Sequence, residues 1–111
     1  MGIRIGGVGI DTNDLAASTA FWQAATGYRV TSSDAASTYL TAPEGAGPHL
    51  FLQVVPERPT GKNRLHLDLV TGDVAGEVDR LQGLGATEVG RHDGWVVLAD
   101  PDGNQFCVVG S

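Results

Sequence analysis

Hydrophobic and polar positions alternate with a period near two, shift to a helical period, and return to two, and the chain does this twice. Ile3 to Ile10 alternates as a strand, weakened locally by its glycines. Thr12-Asn13-Asp14 then offers side-chain oxygens suited to the orphan amides of a first helical turn. Leu15 to Thr26, carrying Leu15, Phe21, Trp22 and Ala25, is predicted as a helix that Gly27 ends. Tyr28–Thr31 and Ser37–Thr41 read as strands joined by a polar turn, Pro43–Pro48 as loop, and His49–Val55 as a fourth strand. Pro56 to Asn63 has two prolines, a glycine and no apolar side chain, so it reads as a linker.

The pattern then restarts. Arg64 to Val70 alternates, with Leu65, Leu67 and Leu69 on one face and His66 and Asp68 on the other. Gly72-Asp73 caps a helix in which Val74, Val78, Leu81 and Leu84 fall at helical spacing, and Gly85 ends it. Thr87–Arg91 and Trp95–Ala99 are predicted strands around the Asp93-Gly94 turn. Asp100 to Asn104 is a second tight turn, and Gln105–Val109 is the last strand. The capping residues Asp14 and Asp73 lie 59 positions apart (73 − 14), and the helix-ending Gly27 and Gly85 lie 58 apart (85 − 27). That agreement marks an internal βαβββ repeat. The expected fold is α+β in a single domain over residues 1–111, with repeats at 1–55 and 64–111 and a linker at 56–63.

Composition narrows the partners. Seven Lys and Arg against thirteen Asp and Glu give a net charge of −6, and the cations are scattered, which argues against nucleic acid and anionic membranes. No apolar run is long enough to cross a bilayer. Met1-Gly2-Ile3-Arg4 leads into the first strand without the pattern of a secretory signal, and the single Cys107 has no internal disulfide partner. A cytoplasmic protein is expected. Asp100 to Asn104 lacks the spaced ligands of a calcium loop, and Gly6-Gly7-Val8-Gly9 lacks the ending of a phosphate loop.

Three stretches carry a family resemblance: Gly9-Ile10-Asp11-Thr12-Asn13-Asp14-Leu15 with the following Ala20-Phe21-Trp22 and Thr26-Gly27-Tyr28; Gly61 to Leu69; and Trp95 to Cys107 with its Asp-Pro-Asp-Gly-Asn turn. Together they resemble the vicinal oxygen chelate superfamily, the glyoxalase, bleomycin-resistance and extradiol-dioxygenase fold, and within it the compact glyoxalase-like branch. The resemblance implies two curved, antiparallel-rich sheets facing each other as a cup, helices outside, and commonly a homodimer. It implies metal-ligand positions on the first and last strands of each half, here Gly7, Gln53, His66 and Cys107. Gly7 offers no donor and Cys107 stands where a carboxylate is usual, so the expected site is degenerate and free of metal or other cofactor, with a divalent ion as the open alternative.

His66 is the candidate catalytic residue, either a general base or a group orienting a ligand carbonyl, with Asp68 placed to hold its imidazole. Gln53, His66, Cys107, Tyr39 and Trp95 are the candidate ligand contacts. Lys62 and Arg64 flank the strand and could steer an anion. Each has a plainer role: Cys107 as a small packed residue, Tyr39 and Trp95 as rim packing, Lys62 and Arg64 as solvated linker. The leading functional expectation is a protein that binds a small organic molecule. A lyase- or isomerase-type enzyme acting on a small oxygenated substrate, and a dimeric structural or regulatory part, are the alternatives.

Overall fold

The computed structural model describes residues 2–111; Met1, first residue of the expected first repeat, lies outside them. The chain divides into two compact units, one running to Arg58 and the other from Pro59 to Ser111. The division falls inside the stretch read as a linker.

In the first unit β1 (Gly7–Thr12), α1 (Leu15–Thr26), β2 (Arg29–Ser33), β3 (Ser37–Thr41) and β4 (His49–Val54) follow in order. The sheet order is β1-β4-β3-β2. The first pair is parallel and the other two are antiparallel. A parallel partner has to be reached by a crossover, and α1 belongs to that crossover. Asp14 caps α1 by accepting from the Ala17 amide at 3.1 Å, and Gly27, at φ 74°, closes it in the left-handed region that only glycine enters freely. The helix buries Phe21 and Trp22, whose rings meet edge to face at 5.1 Å. Leu40, Leu50 and Leu52 are the buried leucines of β3 and β4, the strands that α1 packs against.

The second unit repeats the plan: β5 (Asp68–Thr71), α2 (Val74–Gly83), β6 (Thr87–His92), β7 (Trp95–Ala99) and β8 (Gln105–Gly110), in the sheet order β5-β8-β7-β6. Asp73 caps α2 through the Gly76 amide at 3.0 Å. Val78 and Leu81 of α2 are buried, as are Val96, Leu98, Phe106 and Val108 of the β7 and β8 strands it packs on. Buried Asp100 organises the β7–β8 turn, its Oδ1 accepting from the Asp102 and Asn104 amides at 3.0 and 2.9 Å. Among the described residues no helix is long and apolar enough to cross a membrane.

Two strand expectations need correction. Ile3 to Gly6 is not strand, and Ile3 and Ile5 stand 91% and 84% exposed. The reason is the partner: β4 begins at His49, which pairs with Gly7, so nothing extends the ladder toward Ile3. Arg64 to Leu67 is likewise outside β5, and Leu65 is 89% exposed instead of sharing an inward face with Leu67 and Leu69. Its partner β8 starts at Gln105, immediately after the 100–104 turn, and Cys107 donates its amide to Leu67 O as the ladder's last bond on that side. Beyond it, the Asn63 side chain takes over the pairing. Its Oδ1 accepts from the Gln105 amide at 2.8 Å and its Nδ2 donates to Gln105 O at 3.0 Å and to Leu65 O.

Candidate functional site

Register fixes which positions of the two halves correspond. Gly9 pairs with Phe51 and Asp11 with Gln53; Asp68 pairs with Cys107 and Val70 with Val109. With the 59-residue offset (68 − 9, 70 − 11), Phe51 therefore stands in the first unit where Cys107 stands in the second, and Gln53 corresponds to Val109.

The second unit gathers a set of donors. A His66 ring nitrogen, an Asp68 carboxylate oxygen and Cys107 Sγ all lie within 4.8 Å of one another. His66 Nε2 is 3.1 Å from Asp68 Oδ1, with the two side chains 42% and 55% exposed. Asp68 sits opposite Cys107 across the β5–β8 pair, and His66 lies two residues before β5 on the segment fastened by Asn63. The thiol is buried. Burial pushes its pKa above the ordinary 9.0, the Asp68 charge adds to the rise, and Lys62 acts against it. Cys107 is thus a protonated thiol at neutral pH, a poor nucleophile.

Of the expected site residues, His66 and Cys107 are brought together, with Asp68 completing the group. Trp95 opens β7 opposite Val109; it is 41% exposed and stacked on His92, with ring centroids 4.7 Å apart and planes 16° apart. In the first unit Gly7 and Gln53 lie at opposite ends of the β1–β4 pair, beside His49 and Asp11 respectively. Four residues separate them along the strand, roughly 13 Å, so they make no common set of ligands. Tyr39 lies between, half-buried, its ring 5.9 Å from His49 and 6.2 Å from Phe51. His49, Phe51 and His92 were not singled out from sequence. The repeat offset applied through strand pairing would have found Phe51; pattern alone made it an ordinary strand aromatic.

Chemistry decides what ion the donors suit. A thiol beside an imidazole and a carboxylate is a soft, mixed set, matched to zinc. Manganese prefers oxygen and imidazole donors. The counterparts of His66, Asp68 and Cys107 in the first unit are Gly7, Gly9 and Phe51, none of which offers a side-chain donor. The set does not fit a manganese centre.

A βαβββ pair with each sheet opening on a parallel edge strand defines the glyoxalase/bleomycin-resistance/dioxygenase class, the vicinal oxygen chelate fold. The glyoxalase-like domain family matches residues 7–109, and the chain belongs to that family. Among solved structures, a glyoxalase/bleomycin resistance protein/dioxygenase family enzyme from Burkholderia phytofirmans PsJN superposes with a TM-score of 0.80 at 19% identity, over 97% of this chain and 98% of the other. The fosfomycin resistance protein FosX from Listeria monocytogenes, in a mutant form complexed with Mn(II) and 1S,2S-dihydroxypropylphosphonic acid, gives 0.77 at 18% identity, over 100% and 93%. A glyoxalase-related enzyme from Fulvimarina pelagi gives 0.73 at 20% identity, over 95% and 86%. At these identities the likeness is one of fold. Among curated proteins, none matches the chain in sequence.

Proposed function

We propose that this chain is a small-molecule-binding member of the glyoxalase-like family whose site is degenerate toward hard divalent cations and works without one. The observation that carries this is the one-sided donor set: His66, Asp68 and Cys107 in one half, Gly7, Gly9 and Phe51 at the matching places in the other. A hard ion needs more oxygen and imidazole donors than the chain offers at these positions. The working form is a cytoplasmic homodimer, a reading supported by the family resemblance and by a lone thiol suited to a reducing compartment.

Metal analysis of gently purified protein, paired with a thermal-shift screen of small acids, thiols, aromatics and planar drugs, tests the reading. Manganese well below one ion per chain is expected, with stabilisation that scales with ligand concentration over Kd and survives a chelator. Stoichiometric manganese, or ligand binding abolished by chelation, would overturn it. Sedimentation should give twice the 11.5 kDa chain mass.

The closeness of His66, Asp68 and Cys107 supports a second reading, an enzyme of lyase or isomerase type. Without a metal, Asp68 orients the imidazole, which takes a proton from a substrate carbon or hydroxyl; were the three donors instead to hold a zinc ion, His66 would be its ligand and the ion would supply Lewis acidity to a bound oxygen. Replacing His66 with Ala separates the readings. Loss of turnover with binding retained favours the enzyme, whereas binding weakened by about tenfold with no turnover to lose favours the module.

A further inference from the structure

We infer that the first unit's sheet is a seat for a planar aromatic carboxylate. The inference rests on the binding reading above and names the class of ligand. It is carried by what the register places on the face of this sheet turned away from α1. Leu40, Leu50, Leu52 and Thr38 point to the helix side and are buried. The alternate positions therefore form the other face, where Gly9, Phe51 and Tyr39 make one row across β1, β4 and β3.

Two features shape this row as a bed. Phe51 and Tyr39 are half-buried neighbours whose rings lie 6.2 Å apart, tilted by 57°. The strand beside them carries glycine at both matching places, Gly7 and Gly9, so bare backbone flanks the rings. A Cβ at Gly9 would meet nothing closer than Phe51 O at 3.9 Å, so the glycine leaves open space that backbone crowding does not demand. A planar ring can lie over that backbone with its edge or face against Phe51.

The adjoining row supplies the polar end. Gly7 pairs with His49, and Arg29 pairs with Thr41 two strands away, on the same face. His49 Nδ1 accepts the Ala42 amide at 3.0 Å. In the neutral ring this leaves the proton on Nε2, a fixed donor. Arg29 is exposed and makes no ion pair among the described residues. Its Cα is roughly 10 Å from that of His49 by strand spacing, a gap that an arginine side chain spans with room for one carboxylate. The second unit offers no such bed at the matching positions, since Asp68 and Cys107 replace Gly9 and Phe51.

Isothermal titration with three probes tests this: a naphthoate, cyclohexanecarboxylate with the same charge but no flat ring, and naphthylmethanol with the ring but no charge. Naphthoate should bind at least about tenfold more tightly than either. Phe51→Ala and the exposed Arg29→Gln should each remove about that factor, with folding verified by circular dichroism. Equal affinity for naphthoate and cyclohexanecarboxylate, or naphthoate binding untouched by both substitutions, overturns the inference. If naphthoate fails while another compound of the wider screen binds, this ligand class is wrong and the binding reading stands. If nothing binds, both fall.

Discussion

Cys107 is a buried residue whose chemistry its surroundings alter. Its pKa is raised by burial first and by Asp68 second. The folded state therefore favours the thiol, and that stabilisation is complete below the unfolded value near 9 and is lost as pH climbs through the higher folded one. Alkylation by iodoacetamide should be slow at neutral pH and should accelerate only above about pH 9. Asp68→Asn removes the carboxylate and should bring the alkylation profile to lower pH. A profile unmoved by that change would leave burial as the whole cause. Ser18 poses the opposite case: it is wholly buried in α1, and its Oγ has no hydrogen-bond partner among the described residues. Ser18→Ala removes an unpaid desolvation and improves helix propensity. It should stabilise by about 1 kcal/mol in a denaturant titration.

At the scale of elements, two helix-end glycines should respond oppositely to alanine. Gly27 lies at φ 74°, where a Cβ is strained, so Gly27→Ala should cost about 1 kcal/mol. Gly83, last residue of α2, has no positive φ and open space around its missing Cβ; Gly83→Ala should gain about 0.5–1 kcal/mol. Thermal unfolding of the pair distinguishes them. The helices and inner strands were legible because their signals are local. Asp14 and Gly27 bracket Leu15–Thr26 by cap chemistry, and Ser37–Thr41 and Trp95–Ala99 lie between turns that punctuate them. The starts of β1 and β5 were not legible, because alternation in Ile3–Gly6 and Arg64–Leu67 says nothing about where a partner strand begins. For the same reason the candidate site was half read. His66 and Cys107 follow from the family resemblance, whereas Phe51 and His49 emerge only from pairing across β1–β4.

For the molecule as a whole, the two sheets share one rule: the edge strands β1 and β5 lean on β4 and β8, which are paired on both sides. Hydrogen exchange should therefore be slowest at the amides of β4, β8 and their antiparallel neighbours β3 and β7. It should be fastest over residues 2–6 and 59–66, which lie outside every strand. Protection spread evenly over residues 59–66 and β8 would contradict this order. The halves are specialised differently, one carrying ionisable and sulfur donors and the other glycine and aromatic surface at matching places.

The Asn63 carboxamide, which imitates a strand partner for Gln105, gives this specialisation a mechanical handle. His66, one residue past Leu65, sits between this carboxamide and the main-chain bond from Cys107 to Leu67. A change at that one polar residue would consequently loosen the approach to His66 from its N-terminal side, while every strand of the sheet keeps its neighbours.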